Sequence, residues 1–144
     1  MAANYFSNKE KEIIVNAIKK AEFNTSGEIR VHIESFCVGD PYMRALKVFG
    51  KLKMHRTAQR NAVLFYLTTR DRKFAVVGDE GIHQKVKSDF WQTITTSCLS
   101  FFKKGEIAVG LAHGIECAGL QLKAYFPYNV DDVNELNDEI SFGK

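Results

Sequence analysis

Apolar and polar positions along this chain change period several times, and each change marks an element. Ile14, Ala17, Ile18 and Ala21 recur at helical spacing behind Ser7-Asn8-Lys9-Glu10, a capping-box sequence whose Ser hydroxyl and Glu carboxylate satisfy free amides at a helix start. A first helix is predicted from Asn8 to about Glu22, stopped by Asn24-Thr25-Ser26-Gly27. Glu28 to Glu34 alternates polar and apolar, the period of a half-buried strand, here expected near a sheet edge. After Gly39-Asp40-Pro41 the helical period returns, with Tyr42, Leu46 and Phe49 as the inward face and an end around Gly50 to Lys53. Ala62 to Leu67 is continuously apolar, as a central strand covered on both faces requires. Phe74 to Val77 follows after Thr69-Arg70-Asp71-Arg72, a spacing that suits a hairpin and ends at Gly78. Helical spacing resumes from about Ile82 through Val86, Phe90, Ile94 and Phe101 or Phe102, and breaks at Gly105. A last helix from Glu106 to about Tyr125 puts Ile107, Leu111, Ile115, Ala118, Leu122 and Phe126 on one face, and Pro127 closes it.

The order α-β-α-β-β-α-α predicts an α/β fold, a three-layer α/β/α sandwich with a small mixed sheet and helices on both faces. One domain is expected over 1–144, with its core at about 8–127 and an acidic C-terminal segment at 128–144. Strands joined through a helix run parallel by a right-handed crossover, and the hairpin sets the third strand antiparallel to them. The start of the first strand (Ser26, Gly27, Glu28), the start of the second (Arg60, Asn61) and the exit of the third (Gly78, Asp79, Glu80) should therefore share one edge. The acidic segment from Asp131 is expected to begin there too. The glycine-bracketed acidic pair in Gly78-Asp79-Glu80-Gly81 is the place where chemistry should gather.

Composition narrows the class. With 45% hydrophobic and 26% charged residues in 144, the chain reads as an ordinary soluble domain, long enough to bury about two thirds of its unfolded surface. No apolar run approaches the roughly 20 residues of a membrane span, and Met1 to Glu12 lacks the apolar core of a signal peptide, so a cytoplasmic home is expected. Cys37, Cys98 and Cys117 are odd in number and widely spaced, which suggests buried thiols rather than disulfides or a zinc ribbon. Net charge is +3 but unevenly placed. No acidic residue falls between Pro41 and Arg70, where Arg44, Lys47, Lys51, Lys53, Arg56 and Arg60 cluster, while Asp131, Asp132, Glu135, Asp138 and Glu139 crowd the end. The basic stripe reads either as a solvated helix face or as a surface for an acidic partner.

Oxygen-bearing side chains converging from several loops suit a hard divalent cation, since calcium takes roughly six to eight oxygen ligands. The plainer reading of the same residues is that Asp79 caps the following helix and Glu80 complements its dipole. Other chemistries find less support. Arg44 falls one place too late after Cys37 for a cysteine phosphatase loop, and no D-x-D motif, nucleophile elbow or P-loop occurs. His113-x-x-Glu116 could present a metal pair on a helix, but stands without a second pair and reads as an exposed polar edge.

Thr25-Ser26-Gly27-Glu28-Ile29-Arg30-Val31, Arg60-Asn61-Ala62-Val63-Leu64, Val77-Gly78-Asp79-Glu80-Gly81-Ile82, the helix of Trp91, and Phe126-Pro127 with Asn134-Glu135-Leu136 together resemble the TPM domain, from about Lys9 to Glu139. That resemblance implies a Rossmann-like fold, a divalent metal bound at acidic loops, usually calcium with magnesium as the alternative, and an acid phosphatase activity attributed to plant members. Carried over residue by residue, it implies Glu28, Asp79 and Glu80 as metal ligands, with Asp132 and Glu135 next in line. The chain departs from many relatives at Arg60, which stands in place of an acidic residue, and at Ala62, which replaces a glycine. Neither the export signal nor the C-terminal membrane span of many relatives is expected from this sequence. The expectation is thus a divalent-cation-binding protein. A metal-dependent phosphatase with Arg60 pairing to the phosphate is the alternative, and a protein-interaction module using the basic helix face is a second. Neither nucleic-acid binding nor membrane insertion is expected.

Overall fold

The structure, a computed structural model, describes residues 2–128 and 136–143. Its frame is a sheet of β1 (Glu28–Glu34), β2 (Ala62–Thr68), β3 (Phe74–Gly78) and β4 (Ser141–Phe142) in the order β3-β2-β1-β4. β1 runs parallel to β2, β3 pairs antiparallel to β2, and β4 runs parallel to β1 beside His32 and Ile33. The helices are α1 (Asn8–Glu22), α2 (Pro41–Lys51), a single turn α3 (Glu80–His83), α4 (Asp89–Phe102) and α5 (Ile107–Lys123).

Alternation along the strands divides the core in two. Ile29, Val31 and Ile33 of β1 with Val63, Phe65 and Leu67 of β2 face α1, α4 and α5, whose Ile14, Ile18, Ile94, Leu111, Ile115 and Leu122 are fully buried against them. On the opposite face Leu64, Tyr66, Ala75 and Val77 meet Ala45, Val48 and Phe49 of α2. Each fully buried aliphatic side chain contributes roughly 1.5–3 kcal/mol by leaving water, so the three-helix side dominates the stability. The start of α1 is set locally: Ser7 Oγ accepts from Glu10 N at 3.1 Å while Glu10 Oε1 accepts from Ser7 N at 3.0 Å.

Four details differ from the sequence reading. β1 is not an edge strand, because β4 lies along its second half, and its polar positions Glu28, His32 and Glu34 are buried rather than solvated. β4 itself is too short for alternation to reveal. α2 turns Phe49 inward as expected but joins it with Ala45 and Val48, leaving Tyr42 and Leu46 41% and 40% exposed, since the helix approaches the sheet along the stripe of Ala45, Val48 and Phe49. The helix expected from Ile82 is broken into α3 and α4, so that α4 returns across β3 with Trp91 over Gly78.

Candidate functional site

The sheet register brings the predicted residues to one edge. Glu28 pairs with Ala62, and Asp79 N donates to Ala62 O at 3.0 Å, so Glu28 and Asp79 flank Ala62 on either side. They stand two strands apart, roughly 9–10 Å between backbones at ordinary strand spacing. Glu28 is buried, and its Oε1 accepts from Leu136 N at 2.8 Å.

Asp79 is the N-cap of α3 and accepts from Glu80 N at 2.8 Å. Both of its oxygens also meet Arg60, with Nε to Oδ2 at 2.7 Å and Nη2 to Oδ1 at 2.9 Å, and Arg60 Nη1 reaches Glu80 Oε1 at 3.3 Å. Arg60 achieves this from a left-handed backbone, φ 53°, a conformation a bulky side chain rarely adopts. The residue expected to pair a phosphate thus spends its guanidinium on the two carboxylates expected to hold a metal. Asp132 and Glu135 lie outside the described residues.

A second set of carboxyls, absent from the sequence reading as a group, adjoins the β1 side of this edge. Glu22, at the end of α1, accepts from Ile29 N through Oε2 at 3.3 Å and shares a hydrogen bond with Asp138. Burial, that hydrogen bond, and the charges of Glu28 and Asp138 push its carboxyl up to about 10, so Glu22 keeps a proton at neutral pH. Asn61 Oδ1, in the adjoining strand start, is buried without a hydrogen-bond partner, while Asn61 Nδ2 donates to Ser26 Oγ at 3.4 Å. A buried amide oxygen left unpaired is a hard donor of the kind calcium takes. Even so, no group of three or more His, Cys, Asp or Glu side chains among the described residues is arranged to hold a metal ion. The Asp79 half fits a cation poorly because Arg60 already neutralises it. The Glu22, Glu28 and Asp138 half fits the chemistry better, but its described side chains do not alone complete a ligand sphere.

The other end of β1 carries a buried network that sequence reasoning missed. Glu34 accepts from Arg44, from Tyr66 Oη at 2.6 Å and from His32 Nε2 at 3.0 Å. Burial alone would raise the Glu34 carboxyl, but the hydrogen bonds from Arg44, Tyr66 and His32 outweigh it and hold it at about 2. Burial lowers the pKa of His32 and keeps its ring neutral. Because Nε2 faces a carboxylate it carries the proton, and Nδ1 then accepts from Ser141 Oγ at 2.8 Å. The Ser141, His32, Glu34 order has the connectivity of a catalytic triad. Here Glu34 is already spent on Arg44 and Tyr66, so it has little charge to offer a developing imidazolium. The array instead clasps β4 to β1, beside a cleft of about 660 Å³ lined by Phe36, Val38, Arg44, Lys51 and Phe142 among others.

Elsewhere the candidates resolve into packing. His113 stacks on Phe101 with ring centroids 4.3 Å apart, and Glu116 pairs with Lys20 at 3.6 Å, so they are not a metal pair. Cys37, Cys98 and Cys117 are free thiols, and burial pushes Cys98 up to about 12. No helix among the described residues is long and apolar enough to cross a membrane.

Comparison with known proteins agrees with the fold. The chain is 44% identical to the BA42 protein of the psychrophilic bacterium Bizionia argentinensis, whose NMR structure superposes with a TM-score of 0.93 and 97% of each chain covered. The N-terminal domain of cg2496 from Corynebacterium glutamicum, at 13% identity and a TM-score of 0.66, covers 97% of this chain and 81% of that one. An N-terminal domain from P. gingivalis, at 18% identity and a TM-score of 0.67, covers 86% and 80%. These last two show the shared fold alone. No curated protein matches the chain. The TPM domain matches over residues 1–119, which takes in β1, β2, β3 and every helix up to the last turn of α5. The chain belongs to the TPM-domain family.

Proposed function

We propose that this TPM-domain protein binds a divalent cation, calcium, through carboxylates at the leading edge of β1. The observation that carries the reading is the hydrogen bond between the carboxyl groups of Glu22 and Asp138 beside the buried Glu28. Acids packed this closely are kept together by a proton, and a divalent cation relieves the same repulsion when it displaces that proton. Glu22, Glu28 and Asp138 would supply carboxylate oxygens, and Asn61 Oδ1 is an amide oxygen able to join them. Asp132 and Glu135, between Pro127 and Leu136, are further candidates in the sequence. Asp79 and Glu80 would contribute only if Arg60 let go.

Phosphoryl transfer gains nothing from the geometry, because Arg60 is engaged, and the reading stops at cation binding. The test is a calcium titration followed by amide shifts and by melting temperature, since a ligand of the native state stabilises it by mass action. Amides of residues 22–29 and 136–139 should shift, and the melting temperature should rise with calcium and fall back with a chelator. Glu28→Gln with Asp138→Asn should abolish the rise. A rise that survives that pair and disappears in Asp79→Asn with Glu80→Gln would move the site to the Arg60 side. No response to calcium or magnesium would end the cation reading.

A further inference from the structure

The outward surface of α2 and the loop before it carries both charge and exposed apolar side chains. Phe36 and Val38 in the β1–α2 loop are 55% and 91% exposed, and Met43 on α2 is 58% exposed with Tyr42 and Leu46 beside it. Helical spacing puts Lys47 and Lys51 next to Met43 and Leu46 on this outer face, with Lys53 just past the helix end. Phe36, Val38, Arg44 and Lys51 line one cleft, which joins the loop to the helix. The acids bordering it are already engaged: Asp40 caps α2 by accepting from Met43 N, Asp71 accepts from Cys37 N and pairs with Lys73, and Glu34 is held by Arg44. Apolar tips this exposed, grouped on one basic surface, mark a contact surface rather than chance exposure.

We propose that this surface docks the protein peripherally on an anionic lipid bilayer. Phe36, Val38 and Met43 enter the boundary between headgroups and acyl chains, and Lys47, Lys51 and Lys53 meet the lipid phosphates. Lysine stems extend along apolar surface while their ammonium groups stay with the headgroups, so the interleaving of Lys with Met and Leu suits that boundary. A protein partner fits less well, because interface cores are depleted in lysine and here the lysines lie within the apolar patch. A single-stranded nucleic acid would call for a run of aromatic stacking platforms, whereas here Phe36 and Tyr42 stand among the more exposed, non-aromatic Val38 and Met43.

The test is flotation of the purified protein with vesicles of phosphatidylcholine alone or mixed with phosphatidylglycerol, at low and high salt. Binding should be about tenfold tighter to the anionic vesicles and should weaken steeply with salt. Val38→Ser with Met43→Ser, and separately Lys47→Glu with Lys51→Glu, should each weaken it by about tenfold. All four positions are solvent-exposed, so the fold should survive, as circular dichroism would check. Lys87→Glu with Lys104→Glu, an equal change in charge elsewhere, should leave it nearly unchanged. Failure to bind anionic vesicles, equal weakening by the control pair, or oligonucleotide binding in place of vesicle binding would each overturn the proposal.

Discussion

Arg44 holds Glu34 with two arms, Nε to Oε1 at 3.0 Å and Nη2 to Oε2 at 2.6 Å, and so ties α2 to the end of β1. The Glu34 side chain is almost wholly buried while Arg44 is a third exposed. Breaking a buried pair from one side costs roughly 3–5 kcal/mol, and solvent screening of the arginine reduces this to about 1–3 kcal/mol. Arg44→Met should lose that much in urea unfolding at neutral pH. Arg44→Met with Glu34→Gln should recover part of it, because the uncompensated charge is gone. A loss below about 0.5 kcal/mol for the single variant would mean that Tyr66 and His32 suffice for Glu34.

Acidification should weaken the same end of the sheet in two stages. Burial depresses His32 below its ordinary 6.5, so the unfolded chain takes up a proton that the folded one resists, and stability declines as pH falls below about 6.5. Glu34 is depressed from 4.5 to about 2, so its contribution is present above 4.5 and is lost as pH falls toward 2. The charged groups felt by His32 are Glu34, Arg44 and Arg30, with Tyr66 and Ser141 against its ring. Melting temperatures of wild type and His32→Gln should differ in slope as pH falls below about 6.5. Equal slopes in the upper range would assign the early loss to another group.

The glycines around Asp79-Glu80 follow from close packing. A Cβ on Gly81 would lie 2.2 Å from Gln59 O and 2.5 Å from Arg60 O, and a Cβ on Gly78 would lie 2.0 Å from the Trp91 ring. Backbone carbonyls cannot swing aside as a side chain can, so Gly81→Ala should destabilise by at least the roughly 1–3 kcal/mol of an overpacked core. It should also loosen Arg60 from Asp79, visible as shifted Arg60 Nε–H resonances. A wild-type melting temperature for Gly81→Ala would show that the loop before β2 yields freely.

What was legible in the sequence is what local chemistry decides. The capping box at Ser7 and Glu10 and the Asp79 cap each need only a few consecutive residues, and the periods of α1, β2 and α5 each report one face. The parallel and antiparallel pairings followed from connection lengths. What stayed hidden depends on distant partners. The alternation from Glu28 to Glu34 is a true strand pattern, but Leu136, Ser141 and Arg44 cover its polar side, and nothing within β1 announces them. Likewise Arg60 is visible as a departure from the family pattern, whereas its grip on Asp79 depends on a left-handed backbone at φ 53°. Tyr42 and Leu46 share a helical face as read, yet the choice of buried face rested with Ala45, Val48 and Phe49, whose smaller or flatter profile lets α2 approach β2 and β3.

The proton on Glu22 offers a direct test of the proposed cation site. Burial, the hydrogen bond with Asp138, and the charges of Glu28 and Asp138 raise its carboxyl from 4.5 to about 10. A folded pKa above the unfolded one means stabilisation that is fully present below 4.5 and lost as pH rises toward 10. Without calcium, the melting temperature should therefore drift down from about pH 6 to pH 9, and Glu22→Gln should flatten that drift. Calcium competes for the oxygens that the proton occupies, so binding at neutral pH should release about one proton per ion and tighten as pH rises. Calorimetric titrations in buffers of different ionisation enthalpy measure that release. It should disappear in Glu22→Gln and persist in Asp79→Asn with Glu80→Gln. A binding enthalpy independent of buffer, or release unchanged in Glu22→Gln, would place any calcium away from Glu22 and Asp138.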